Sequence, residues 1–517
     1  MAQSFLRGAM IITIASLLSK IIGSVFRIPL QNIAGNEVFG IFSIVYPIYM
    51  AVLILSVAGI PLAISKLISE ARAHDRTGDV RAIFITASML ASLFGVLSFS
   101  VMVILSSPLA VMLGGEYMTL SIIVVSATLL VAPYMAVYRG FFQGYETMTP
   151  TAVSQVAEQL IRVFVILLIA FVMVQQGFSA AETAGGVMIG SIVGAFASLM
   201  YLRWTFVRSE WRPAKEAPYR RRDFVFWSKR ILSLAAPILI GALAMALVNF
   251  IDSMTVPAQL NRIGFESLEV AHAYSYYGRG LAMVQIAVVF AQALILPLVP
   301  AITKAMAEGN HARTASLTEK SMTFTHFIAW PAAAGLFALT VPINFSMFGD
   351  FQENALLAVV HASALLTALA VLTTGVLQGM NRLKISAGIV AVASVLKVFL
   401  NIVLIESMGL IGVAWSTVIV YLFITVLNIA AMRRTVVFKA VQRSHIVFAV
   451  SAVVMAAVVS LPQLWVDLYA FSRGMMTVYL GGMILLGAVV YLALVVGLRA
   501  FTKEEIKSLP VIGKYVS

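Results

Sequence analysis

Gly140-Phe141-Phe142-Gln143-Gly144 closes one long apolar stretch, and 235 residues later Gly375-Val376-Leu377-Gln378-Gly379 closes another. Carried forward without a gap, the same offset lays Arg162-Val163-Phe164 on Lys397-Val398-Phe399, so a cation recurs at matching depth. At an offset of 238, Ala63-Ile64-Ser65-Lys66 through Glu70 falls on Ala301-Ile302-Thr303-Lys304 through Glu308. Self-similarity over such a distance marks two related halves.

The halves are made of membrane spans. A helix crossing the bilayer needs about 20 mostly apolar residues. Fourteen stretches qualify, at approximately 5–30, 39–67, 82–106, 117–142, 153–174, 185–205, 231–255, 273–300, 320–345, 354–379, 385–405, 410–432, 444–461 and 475–500. Of the 517 residues 61% are hydrophobic and 11% charged, against roughly 45–50% and roughly 25% in soluble domains, which excludes a soluble chain. The first stretch is long and lacks a small-residue cleavage site, so it is expected to stay as span 1. An even number of spans separates the repeated motifs, so the halves share one orientation.

The expected fold is therefore an all-α polytopic membrane protein of fourteen transmembrane helices. Two parallel six-helix lobes, 1–205 and 231–432, are joined by a basic linker, 206–230. They are followed by spans 13 and 14 within 433–500 and by a tail, 501–517. Parallel repeats are related by an axis along the membrane normal, with the substrate site between them.

Orientation follows from the basic residues. With the N-terminus cytoplasmic, inside segments hold 28 of the 35 Lys and Arg, and outside loops hold two, Arg262 and Arg473. This asymmetry obeys the positive-inside rule and places both termini, the linker and the tail in the cytoplasm. The net charge of +13 is thereby assigned to topology and to anionic lipids at the cytoplasmic face, not to nucleic acid.

Several chemistries are excluded. Cys is absent, and the six His, at 74, 272, 311, 326, 361 and 445, are scattered, so no metal site is expected. No Gly-Lys-Ser/Thr motif exists, so ATP is not the direct energy source, and no cofactor is implied. The longest outer loop, about 256–272, offers only Glu266 and Glu269 as carboxylates, which argues against an enzyme.

Apart from those at the cytoplasmic ends of spans, which count with the inside segments, five cations fall within spans: Lys20, Arg27, Arg162, Arg279 and Lys397. Each would cost about 2.5–3.5 kcal/mol at the centre of a lipid-facing helix, so each is expected to face a polar interior. Thr13, Ser16, Lys20, Ser24, Arg27 and Gln31 share one stripe of span 1. Against an interior role, Arg27 and Arg279 lie about one third in from the outer surface, within snorkelling distance of the headgroups. Arg162 stands four residues after Glu158, an ion-pair spacing on a helix. Lys397 has Ala393 at the corresponding position and so lacks that neighbour. Acidic residues within spans are scarcer, chiefly Glu158 and Asp252. The surplus suits an anion, above all a phosphate, which Arg binds through paired hydrogen bonds.

Ser19-Lys20-Ile21-Ile22-Gly23-Ser24-Val25-Phe26-Arg27, Tyr276-Tyr277-Gly278-Arg279 and Val57-Ala58-Gly59-Ile60-Pro61 through Glu70 resemble motifs of the multidrug/oligosaccharidyl-lipid/polysaccharide exporter superfamily. The resemblance is to its polysaccharide-transporter branch, including the lipid II flippases and stage V sporulation protein B-like proteins. It implies a multi-pass protein of the bacterial cytoplasmic membrane that moves an undecaprenyl-diphosphate-linked cell-wall precursor, lipid II or a polysaccharide repeat unit, from inner to outer leaflet by alternating access. Arg27 and Arg279 carry over as diphosphate contacts, with Lys20, Arg162 and Lys397 in the same cavity. Asp252, Asn249, Asn401 and Thr417 carry over as coupling-ion candidates, with Glu158 in gating. Lys397 stands one turn from Asn401, and a fixed ammonium there would take the ion's place. Ile28 stands where lipid II flippases commonly carry Asp after the span 1 Arg. The chain is expected to function as a monomer. The alternative on the same fold is a drug/cation antiporter, which would be expected to place carboxylates in its cavity.

Overall fold

The computed structural model describes residues 2–212 and 219–500. The tail 501–517 and linker residues 213–218 lie outside the described residues. Eighteen α-helices and no strand occur among the described residues. They are α1 (Ala2–Val25), α2 (Arg27–Val57), α3 (Ile60–Ala73), α4 (Thr77–Ile104), α5 (Ser106–Met112), α6 (Thr119–Ser126), α7 (Ala132–Gly144), α8 (Thr149–Gln175) and α9 (Ala180–Arg208). There follow α10 (Arg221–Arg262), α11 (Ser267–Ala307), α12 (His311–Ala338), α13 (Thr340–Phe348), α14 (Asn354–Gly379), α15 (Leu383–Met408), α16 (Ile411–Arg433), α17 (Arg443–Ser460) and α18 (Arg473–Gly497). By contact the chain separates into two compact units, Met1–Gly278 with Val390–Gly409, and Arg279–Ile389 with Leu410–Ser517.

Among the described residues ten helical segments are long and apolar enough to cross a membrane, or eleven if one bent pair counts as a single span. The separate stretches expected at 5–30 and 39–67 form one segment, Met10–Ala73, with interruptions of local origin. Pro29 has no N–H for the Val25 carbonyl, and the helix ladder is interrupted at Phe26 although that residue keeps helical angles, φ −59° and ψ −20°. Helical geometry then runs to Gly35, whose φ of 81° and ψ of 178° end it and start the next span. Gly59, at φ 82°, caps α3 and breaks the stretch expected to run on to 67.

Span 9, expected as 320–345, is the bent pair, with α12 and α13 meeting at 76°. Pro342 cannot donate to the Ala338 carbonyl, which would leave an orphan acceptor at the bend. Gln463 supplies the missing donor, its Nε2 standing 2.9 Å from Ala338 O. Spans 13 and 14 are anchored nearby, with Phe448 of α17 and Tyr491 of α18 packing on Phe327 of α12.

In the first unit Ile64, Leu67, Phe141, Phe142, Leu202 and Phe206 form a core joining α3, α7 and α9. In the second, Ile302, Leu372, Val376 and Met432 join α11, α14 and α16. The repeated glycines perform the same task in each. A Cβ on Gly140 would stand 2.7 Å from Pro61 O, and one on Gly375 would stand 2.8 Å from the Ile295 side chain. One turn on, Ser69 Oγ donates to Gly144 O and Thr303 Oγ1 to Gly379 O, each at 3.1 Å. Between lipid-bathed helices the hydrophobic effect supplies little attraction, so close approach across small residues carries the packing.

Gly140→Ala is therefore expected to lower the thermal midpoint in detergent, because overpacking costs about 1–3 kcal/mol. Gly388→Ala, where a Cβ meets nothing within 4 Å, should leave it unchanged or raise it through helix propensity. Equal shifts in the two variants would show that the glycine contact does not matter.

Candidate functional site

The interior cations gather around carboxylates. Glu158, on α8, receives Arg162 Nη2 at 2.7 Å from one turn along its own helix and Arg139 Nη2 at 2.9 Å from α7. Arg139 Nε also donates to Ser154 Oγ at 3.0 Å and its Nη2 to Ser198 Oγ at 3.1 Å. Arg162 Nη1 donates to the Tyr46 hydroxyl at 3.3 Å. The turn of α8 bearing Glu158 and Arg162 is pressed against α9, because Gly194 leaves no side chain in the way; a Cβ there would stand 2.7 Å from Glu158 O.

Charge counting by loops places Arg139 with the cytoplasmic cations, and the structure instead makes it the second partner of Glu158. The signal is symmetry about a hairpin. Arg139 lies five residues before the end of α7 and Ser154 five residues after the start of α8, so antiparallel helices bring them together.

A second cluster surrounds Lys397. Lacking a helical neighbour, it takes Asp252 from α10 at 3.0 Å, and both side chains are buried. Asn401 Nδ2 donates to the same oxygen, Oδ1, at 2.9 Å, and the Tyr277 hydroxyl donates to Oδ2 at 2.8 Å. With an ammonium, an amide and a phenol on it, this carboxylate would have to release its ammonium before taking a monovalent cation. Asn249 offers its carbonyl to the Ser253 hydroxyl at 3.1 Å, and the Thr417 hydroxyl donates to Val413 O at 2.9 Å. Among the described residues no group of three or more His, Asp or Glu is placed to hold a metal ion.

In the second unit Arg279 is fully buried, and its Nη1 stands 3.0 Å from Asp350 and 3.3 Å from Asn344 Oδ1. No sequence signal points to Asp350, which follows α13 by two residues and lies outside every stretch expected to span.

On the stripe of span 1, Ser16 Oγ donates to Gln155 Oε1 at 3.3 Å and the Ser24 hydroxyl to Lys20 O at 2.9 Å. The Lys20 side chain is exposed. Arg27 differs from the other guanidiniums. Among the described residues no carboxylate pairs with it, and the phenols of Tyr46 and Tyr274 are its electrostatic neighbours; its Nε is buried without a hydrogen-bond partner, as are those of Arg162 and Arg279.

Residues 5–306, more than half of the chain, match the family described as polysaccharide biosynthesis protein. The chain belongs to that family, within the multidrug/oligosaccharidyl-lipid/polysaccharide exporter superfamily, whose members are transporters and not enzymes. It is 28% identical over 513 residues to the uncharacterized membrane protein YabM of Bacillus subtilis, covering 98% of this chain and 94% of that one. It is 27% identical over 450 residues to the lipid II flippase MurJ of the same organism, covering 82% and 81%. The solved structure of lipid II flippase MurJ in its inward closed conformation superimposes with a TM-score of 0.69 over 94% of this chain and 98% of that one, at 14% identity, a likeness of fold.

Breaking the Asp252 cluster has a predictable sign. Asp252→Leu alone strands the Lys397 ammonium and should destabilise by about 3–5 kcal/mol, whereas Asp252→Leu with Lys397→Met replaces both charges by apolar groups and should recover most of the loss. Thermal unfolding in detergent checks this, and a double variant as unstable as the single would refute the pairing.

Proposed function

We propose that the chain flips an undecaprenyl-diphosphate-linked saccharide, lipid II or a polysaccharide repeat unit, from the inner to the outer leaflet of the bacterial cytoplasmic membrane. The observation that carries this is Arg27, a guanidinium within a span that has no carboxylate partner among the described residues. A guanidinium in that state favours an incoming anion, and a diphosphate offers it paired oxygens. Arg162, which shares its carboxylate with Arg139 and donates to Tyr46, adds to the positive field of the same unit.

Fourteen spans follow if Met10–Ala73 is divided at Gly35, the bent pair is one span, and α10 and α11, of 42 and 41 residues, add one each. Six, six and two helices then give two lobes of like orientation that alternate access, with both termini cytoplasmic. A drug/cation antiporter would need a carboxylate open to its cargo, and Glu158, Asp252 and Asp350 each already hold Arg or Lys. At Asp252 the ammonium of Lys397 stands where a coupling ion would bind.

In bacteria depleted of their own flippases, arrival of lipid II and of other undecaprenyl-linked sugars at the outer leaflet tests the proposal. Arg27→Ala should slow it by about 10- to 100-fold, the worth of a charge-assisted hydrogen bond of about 1.5–3 kcal/mol, and Arg27→Lys should retain part of the rate. Unchanged flipping in Arg27→Glu, with normal amounts of protein in the membrane, would remove the diphosphate from the site.

A further inference from the structure

Arg279 is 0% exposed, and unlike Glu158 and Asp252 its counter-ion does not belong to a long helix. Asp350 sits in the short turn 349–353 between α13 and α14. The turn is closed by its own hydrogen bonds. The Gln352 N–H donates to Asp350 Oδ1 at 2.9 Å, and Asn344 Nδ2 donates to Gln352 O at 2.9 Å and to Asn354 Oδ1 at 3.1 Å. The Phe348 ring lies 5.2 Å from the guanidinium. Both ends of the turn have left-handed backbone, Gly349 at φ 70° and Glu353 at φ 56°. Glu353 is not a glycine, so the closed form carries strain that the ion pair offsets. Arg473 of α18 donates to Ser346 O at 3.0 Å and to Met347 O at 2.7 Å, fixing the helix end, while the turn itself is held by the Phe351 ring stacked on Phe345 at 4.2 Å and lying against Tyr469 at 4.7 Å.

We infer that Asp350 is an intramolecular competitor for the anion site at Arg279. In the ligand-free protein its carboxylate occupies the position of a phosphate oxygen, and substrate binding exchanges one anion for the other and releases the turn 349–353. This rests on the diphosphate-lipid reading of the site. The carboxylate meets the guanidinium through Oδ2 and Nη1, at 3.0 Å, while its Oδ1 is turned back to the Gln352 N–H. A diphosphate brings more charge and can take the guanidinium through two parallel hydrogen bonds, so it displaces Asp350, whereas a neutral or cationic ligand does not. Asp350 thereby sets specificity: a ligand reaches Arg279 only if it binds better than a carboxylate already in place.

The chain has no Cys, so Ser346→Cys introduces a single thiol. It replaces a buried hydroxyl that has no hydrogen-bond partner, on the last turn of α13 leading into 349–353. In the purified full-length protein in lipid nanodiscs, labelling of this thiol by a polar maleimide reads release of the turn. Undecaprenyl diphosphate should raise the labelling rate by about tenfold, equivalent to about 1.4 kcal/mol, and undecaprenyl monophosphate by less. Inorganic pyrophosphate is the arm that separates a headgroup acting alone from a lipid-anchored one. Adding Asp350→Asn should give fast labelling with no ligand and no further response. If that variant fails to fold, the ligand response of the Ser346→Cys protein alone decides, and its absence overturns the inference. Equally slow labelling with and without the Asp350→Asn change overturns it as well. Fast labelling in Asp350→Asn, with no response of the parent to either diphosphate, would instead overturn the diphosphate as ligand and with it the functional reading.

Discussion

A charge carried on a membrane-spanning helix has no water to solvate it, so its partner has to come from the protein. Three carboxylates meet that demand here, and each ties together separate elements. Glu158 joins α7 to α8, Asp252 joins α10 to α15, and Asp350 joins the turn after α13 to α11. Removing one partner strands the other in a low-dielectric interior, which costs more than the pair contributes when intact. Each pair therefore fixes where its helices sit more than it adds to overall stability.

The repeat shows how such a pair is rebuilt after divergence. An offset of 235 lays Thr374 on Arg139, Ala393 on Glu158 and Lys397 on Arg162, so the second copy has one cation at the matching depth and neither the carboxylate nor the second guanidinium. Two changes compensate. Lys397 finds Asp252 on α10, and the space corresponding to Arg139 becomes a neutral cluster in which Asn428 Nδ2 donates to Thr373 at 3.1 Å and to Thr374 at 2.9 Å. The glycine contacts meanwhile persist in both copies, since helix approach does not depend on charge.

What was legible in the sequence follows from the same distinction. Apolar length and glycine spacing are local signals, so the membrane-crossing character of the helices and the glycine-marked repeat could be read from one stretch at a time. The Glu158–Arg162 pair was readable because both ends lie on one helix. Asp350 was not, because 71 residues separate it from Arg279 and no periodicity connects a turn to the middle of a span. Lys397 was legible as a buried cation but not as a paired one, since its partner is on another helix. The bend at Ala338 was missed for a related reason: Pro342 marks it, but the carbonyl it orphans is satisfied by Gln463, which only tertiary structure brings close.

The cations of the interior are thus graded by how firmly they are held. Lys397 is locked by a carboxylate that also takes an amide and a phenol, and Arg162 is shared between a carboxylate and Tyr46. Arg279 takes its counter-ion from a short turn, and Arg27 has no counter-ion among the described residues. A transporter needs such a range. If every guanidinium were free, an anion would be bound too tightly to leave; if every one were locked, none would attract it. On the proposed reading of an anionic lipid cargo, carboxylates that hold their cations to different degrees would let the ligand be exchanged instead of trapped.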